Sequence, residues 1–358
     1  MLVAEPDLLD FTTRVLRAYR VRAAGQAAEA LCYGDLAGFA SHGLANLTRL
    51  YLPLIESGRA VPDAVAVVTA DHGAAVHLDA RRALGLVTAA QAVDLAMDRA
   101  AQHGVGLVSV RDATHFGCAG YHTARAARAG MVAMLAGNCG RQRIARPPGG
   151  TLAMLGTNPL SVAAPAGDLY PFVLDMSTTA APTGKVRAAA RAGQPVPAGW
   201  LEDDAGNPVT DPAAFDRGEA HLRWMGGTGA GVYKGFGLGL MVEVMAALVA
   251  GSGAGAHPEA LDGDGGPGGR DDDIGFVAIA IDPGLLRGGA DVHADAQSLF
   301  GTVLACPALH PDRPVRYPGW HEGERIERCR RDGVPVDDAL CRELDGVAAR
   351  LDLETPWT

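Results

Sequence analysis

The residues able to do chemistry sit in short turns: Ser41-His42-Gly43, Thr114-His115-Phe116-Gly117, Gly156-Thr157-Asn158-Pro159, Asp175-Met176-Ser177, Gly184-Lys185 and Lys234-Gly235. A histidine gives or takes a proton near neutral pH. Arg49, seven residues after His42, lies on roughly the same helical face. Its fork can hold a carboxylate in bidentate fashion. An imidazole beside a guanidinium is what a site needs to move a proton on a small acid. The plainer alternative is a capping histidine and a solvated arginine. Lysine is scarce: Lys185 and Lys234 stand against 29 arginines. Either two lysines survive by chance in an arginine-biased composition, or each sits where a compact ammonium does what a fork would do badly. Lys234 and Gly235 open an apolar helix, an arrangement suited to an anion such as phosphate.

These side chains need elements to position them. Val105 to Val110 reads as a strand and Gly117 to Ala129 as a helix, with a second strand from Met131 to Ala136. His115 then falls outside the carboxyl end of a strand, where open α/β sheets collect ligands. Two short helices are expected between residues 5 and 33, broken near Gly25. Another is expected from Leu44 to Ser57, with Ser41 as its N-cap. Val65 to Val68 and Ala75 to Leu78 form a hairpin, and Leu84 to Gln102 an amphipathic helix. Leu160 to Ala164, Phe172 to Leu174 and Ile274 to Ile281 complete the strands. Asp175 has two readings, an N-cap of the helix bearing Lys185 or a carboxylate facing ligand. Residues 193 to 213 read as a proline-rich loop. Phe236 to Val249 is apolar almost all round, with Glu243 its one charge, and is expected to be buried.

Composition narrows the class. At 358 residues and 48% hydrophobic, the chain can fill more than one core. A net charge of −10 argues against a general nucleic-acid surface, though not against one local basic pocket. Six cysteines without a C-x-x-C pair, and no secretory signal, point to reduced thiols in the cytoplasm. No membrane span is expected. Residues 251 to 273 form a glycine- and aspartate-rich loop, read as flexible, and Asp271-Asp272-Asp273 as solvated. The GxGxxG match at Gly263 to Gly268 follows no strand and is rejected. No metal site is expected.

Seven motifs occur in one order: the six turns above, with Lys234-Gly235 extending through Phe236-Gly237, and finally Pro318-Gly319. In this the chain resembles the malate/L-lactate dehydrogenase family, which includes sulfolactate, ureidoglycolate and diketogulonate dehydrogenases and Δ1-piperideine-2-carboxylate reductases. The resemblance implies a non-Rossmann α/β fold with a mixed central sheet and a flanking helical subdomain. It implies a helical segment, 1–75, packing with 310–358, and a central nucleotide-binding region, 76–309. It implies hydride transfer between NAD or NADP and a small 2-oxo or 2-hydroxy carboxylate, in a homodimer. Its alternatives are reduction of a cyclic imine and a non-catalytic dinucleotide-binding descendant. Carried over by position, His42 and His115 are the acid/base pair. Ser41, Arg49, Thr157, Asn158 and Lys185 face substrate. Cys139, Asp175, Met176, Ser177, Lys234, Gly235, Pro318 and Gly319 face the cofactor. Asn46 stands where relatives carry arginine, and Arg49 is the candidate replacement. Tyr233, Cys139 and Trp320 also depart from the pattern.

Overall fold

The computed structural model describes residues 1–227, 231–263, 265–266, 269–289 and 291–357. The N-terminal layer holds β1 (Leu2–Val3), α1 (Glu5–Ala18), α2 (Ala24–Ala37) and α3 (Leu52–Glu56). Next come β2 (Val67–Asp71), β3 (Ala75–Asp79), α4 (Gly85–His103), β4 (Val105–Ala113), α5 (Ala119–Arg128) and β5 (Val132–Gly137). β6 (Leu160–Ala164), β7 (Phe172–Met176) and α6 (Thr183–Arg191) follow, then β8 (Leu201–Glu202), β9 (Pro208–Val209), α7 (Ala213–Asp216) and β10 (His221–Leu222). The chain ends with α8 (Val232–Glu243), β11 (Ile274–Ile281), α9 (Pro283–Leu286), α10 (Val292–Leu304), α11 (Trp320–Asp332), β12 (Val334–Pro335) and α12 (Asp338–Leu351).

Two large cores meet. In α1, Leu8, Phe11, Val15 and Leu16 are buried along one stripe, and Pro6 sits in the first turn, where no amide donor is needed. That stripe shares a core with α2 and with Cys329, Leu340, Leu344 and Val347 from α11 and α12. β1 and β12 pair antiparallel, zipping the two ends of the chain together. The second core lies under α4, whose Ala89, Ala92, Val93 and Ala96 pack on the sheet. Strand order is β2-β3-β4-β11-β5-β6-β7. β3 and β4 are parallel. β11 lies antiparallel between β4 and β5. A Rossmann sheet is parallel at its heart, so this is the mixed, non-Rossmann sheet expected.

Several expectations are corrected. β7 runs on through Met176, and α6 starts only after Pro182, so Asp175 does not cap it. The proline-rich loop holds β8 and β9, which join β10 beyond it in a small antiparallel sheet, β10-β8-β9, beside a core of Val186, Leu201, Phe215 and Leu222. Strands two residues long leave no periodicity to read. α8 is not a buried helix. Tyr233 (62% exposed), Leu240, Met241, Val244 and Leu248 (78%) face outward. Hydropathy records what a helix would bury, not what covers it. With the π-helical turn Val244–Val249, α8 is long and apolar enough, by length and composition, to cross a membrane. Asp271 and Asp272 are not freely solvated: they accept from Arg59 at 2.6 and 2.7 Å. Of the rejected glycine motif, Asp264, Pro267 and Gly268 lie outside the described residues.

Glu243 explains how α8 is attached. Its buried carboxylate accepts from Asn158 Nδ2 (2.8 Å), Gly255 N (2.7 Å) and Asn138 Nδ2 (3.3 Å). Asn158 Nδ2 also donates to Gly239 O, and Asn138 Oδ1 accepts from Gly140 and Gly275 N. One carboxylate thus ties α8 to the ends of β5, β6 and β11. Replacing it with alanine strands three buried donors. Glu243→Ala should cost about 3 kcal/mol or more of unfolding free energy in urea titration, and Glu243→Gln should cost less.

Candidate active site

The site forms where the two large cores meet. β4 ends at Ala113 and delivers Thr114-His115-Phe116-Gly117 to the crevice. Thr114 Oγ1 accepts from Gly85 N at 2.9 Å and donates to Ala83 O, fixing the turn to the start of α4. Gly117 has φ +76°, and a Cβ there would meet Leu86 at 2.9 Å. Gly117 N donates to His115 Nδ1 at 3.2 Å, and the fully buried Tyr51 hydroxyl lies 2.8 Å from the same nitrogen. An amide N–H can only donate, so Nδ1 is an acceptor and neutral His115 carries its proton on Nε2.

His42 lies in a 3₁₀ turn, Ala40–His42, rather than on the first turn of a helix. Ser41 does not cap the helical segment after that turn; its Oγ lies 2.9 Å from His42 Nδ1. The capping task falls to Asp35 of α2, which accepts from Leu44 N at 2.6 Å. Asn46 Nδ2 donates to Ser41 O. The rings of His42 and His115 stack, centroids 5.7 Å apart and 26° from parallel. Among the described residues no hydrogen bond joins the two rings, and neither Nε2 has a partner. Burial pushes His115 down to about 4. Burial, His115 and Lys185 push His42 down to about 3.

Both rings wall a cavity of about 1120 Å³. Ser41, Arg49, Cys139, Thr157 and Lys185 join them there, as do Asp175, Met176 and Ser177. Cys139 Sγ lies 3.4 Å from Thr157 Oγ1, and burial raises its thiol pKa. Asp175 accepts from Gly120 N at 2.7 Å, and burial pushes its carboxyl up to about 6. Arg49 is already occupied: Glu343 of α12 takes its Nη2 at 2.6 Å and its Nε at 3.2 Å. A second carboxylate would have to displace Glu343. The side chains of Lys185 and Arg191, from α6, wall the cavity with no hydrogen bond or ion pair among the described residues.

Five expected residues stand elsewhere. Asn158 is fully buried and belongs to the Glu243 network. Pro318 O accepts from Val173 N. Gly319, at φ +98°, packs against Pro171 O and Val173 N, so the pair braces β7 outside the cavity walls. Lys234 is exposed, without a partner among the described residues. Gly235 packs on the backbone of Met225, itself a cavity wall. Sequence reasoning missed Tyr51, Asp35, Arg191 and Glu343. None of the four lies in one of the seven motifs. In ¹⁵N NMR, His42, His115 and His122 (also pushed to about 4 by burial) should keep neutral-imidazole shifts down to about pH 5, His115 as the Nε2–H tautomer.

Residues 3–345 match the family model described as malate/L-lactate dehydrogenase. The (2R)-3-sulfolactate dehydrogenase (NADP(+)) of Chromohalobacter salexigens is 34% identical over 321 residues, covering 90% of each chain. The Delta(1)-pyrroline-2-carboxylate reductase of Ancylobacter novellus is 32% identical, covering 87% of this chain and 86% of the relative. Among solved structures, malate dehydrogenase from Entamoeba histolytica shares the fold with a TM-score of 0.91 at 24% identity, over 99% of both chains. Sulfolactate dehydrogenase from Methanocaldococcus jannaschii aligns with a TM-score of 0.84 at 28% identity, over 99% of this chain and 98% of that one. The chain belongs to the malate/L-lactate dehydrogenase family.

Proposed function

We propose that the protein is an NAD- or NADP-dependent oxidoreductase that interconverts a small 2-oxo acid and its 2-hydroxy acid. The observation that carries this reading is the stacked His42–His115 pair, both rings neutral, facing one cavity with the unpaired cations Lys185 and Arg191. The walls fit a nicotinamide end with a small acid beside it: room, imidazoles for a proton, and ammonium and guanidinium groups that make no ion pair among the described residues. When bound, the nicotinamide supplies or accepts the hydride. Lys185 holds the substrate carboxylate, and Arg191 adds charge at the same wall. In oxidation, His42 Nε2, left unprotonated when Nδ1–H donates to Ser41 Oγ, takes the hydroxyl proton, while His115 Nε2–H donates a hydrogen bond to the same oxygen. In reduction, an imidazolium returns it to the carbonyl oxygen. The arriving carboxylate favours that imidazolium and raises its pKa. Tyr51 fixes the His115 ring while its Nε2–H donates.

Met225, Gly235 and Lys234 would hold the phosphate-bearing part of the dinucleotide, where the ammonium would offset its charge. Support comes from Gly235 packing on Met225 and from the exposed, unpartnered ammonium one residue before it. Cys139 and Asp175 to Ser177 complete the wall on the cofactor side. The cyclic-imine reading is favoured by one feature: burial pushes both imidazoles toward the neutral form, and a protonated imine needs no acid. The non-catalytic reading leaves the histidine pair and the free Lys185 unexplained.

Six unpaired cysteines support a reducing compartment, the cytoplasm. A homodimer is supported by α8 and the π-helical turn that continues it, where Tyr233, Leu240, Val244 and Leu248 recur every seven, four and four residues and are all exposed. That spacing puts them on one stripe, better suited to a second subunit than to lipid, since Val242 and Ala246 on the opposite side are buried against the protein. Light scattering should give a dimer, and Leu240→Glu with Leu248→Glu should give monomers.

Catalysis is tested by following NADH and NADPH with a panel of 2-oxo, 2-hydroxy and cyclic imino acids. His115→Ala should abolish turnover while NAD(P)H binding survives; retained turnover would sink the assignment. The pH dependence has a definite sign. Oxidation needs an unprotonated His42, and a charged His115 stacked on it would oppose its taking a proton; His115, the first of the two to charge as pH falls, sits at about 4. Thus kcat/KM for oxidation stays level above about pH 5 and is lost as pH falls through about 4.

A further inference from the structure

We infer that Asp35 is a positioning residue for His42: its carboxylate holds the 42–44 backbone and thereby keeps the His42 ring stacked on His115. This rests on the histidine pair being the proton-handling group. Asp35 lies near the end of α2, is buried, and reaches a cavity wall. Its Oδ2 accepts from Leu44 N at 2.6 Å.

The fit around this bond is close. A Cβ on Gly43 would lie 2.4–2.5 Å from both carboxylate oxygens and their carbon. A Cβ on Gly34 would lie 2.6–2.7 Å from Gly43 N and Cα and from the His42 carbonyl carbon. Two glycines, one on each side, therefore let the turn rest directly on α2. The Ala40–His42 turn has no side-chain cap of its own. Without Asp35, Leu44 N would lose its partner, and the turn would be held at this point only by apolar contact.

The charged surroundings agree with a deliberate placement. Burial pushes Asp35 up to about 7, while Arg325 of α11 pulls it down and Asp337 raises it. Arg325 Nε is itself buried without a partner. A carboxyl this costly to bury is kept where a single short hydrogen bond sets the height of a catalytic ring. Small misplacements of a reacting group cost about a hundredfold in rate.

The test is Asp35→Ala, read by steady-state kinetics, NAD(P)H titration and histidine NMR. The expected result is a fall in kcat of about ten- to a hundredfold, with the dissociation constant for NAD(P)H unchanged. The His42 signals should shift while those of His115 keep their Nε2–H pattern. Asp35→Asn, which keeps an acceptor oxygen, should recover most of kcat. A folded Asp35→Ala protein with unaltered kcat and unmoved His42 signals would overturn the assignment. If that variant does not fold, Gly43→Ala decides the matter, because its added methyl displaces the intact carboxylate. Displaced His42 signals then support the role, and unmoved ones refute it. The NMR readout needs no turnover, so an error about the substrate would leave this result standing.

Discussion

The hydrogen bond between Tyr51 and His115 joins the two halves of this protein. Tyr51 is a fully buried member of the helical core, and its hydroxyl must find a partner there. The partner is His115 Nδ1, at the end of a strand that belongs to the sheet core. Because Gly117 N donates to the same nitrogen, the tautomer is fixed and Nε2 is left for a ligand. The bond that docks the helical layer on the sheet also prepares the imidazole. The cavity is the seam between the layers, with the 41–49 region on one wall and the ends of β4, β5 and β7 on the other.

Charge is distributed in keeping with that seam. The chain carries a net −10, and two of the cavity arginines are already matched: Arg49 with Glu343, Arg187 with Asp216. Lys185 and Arg191 are left over. Lys185 helps to keep the His42 ring neutral, and the two unmatched cations together favour an anion's arrival. The buried carboxylates show the opposite economy. Glu243 is accommodated by three donors, and Asp175 by an amide in the first turn of α5, where partial positive charge gathers. Each fixes a junction: Glu243 joins α8 to the sheet, and Asp175 joins β7 to α5.

Much of this was legible in the chain. The strand from Val105 and the apolar run from Ile274 announce themselves by β-branched composition, and the Leu160–Ala164 strand by the Asn158-Pro159 turn before it. His42, His115 and Lys185 stood out because each lies in a glycine-bearing turn beside a regular element. Local sequence is enough for such turns, since a few residues set the backbone and aim the side chain. The rejected glycine motif was also decided locally, by the absence of a preceding strand.

Tertiary structure decided what local sequence cannot carry. Arg49 and Glu343 lie 294 residues apart, and only the docking of α12 shows that the arginine fork is filled. Tyr51 and His115 are 64 apart, and no spacing pairs an apolar helix with a distant turn. Asp35 took the capping role expected of Ser41 because α2 crosses beneath the turn. α8 read as a core helix, yet one side faces outward, since hydropathy measures transfer from water and not the neighbour that will exclude it. Sequence determined which groups could do the chemistry and the family they belong to; packing between distant segments decided which of them are free to do it.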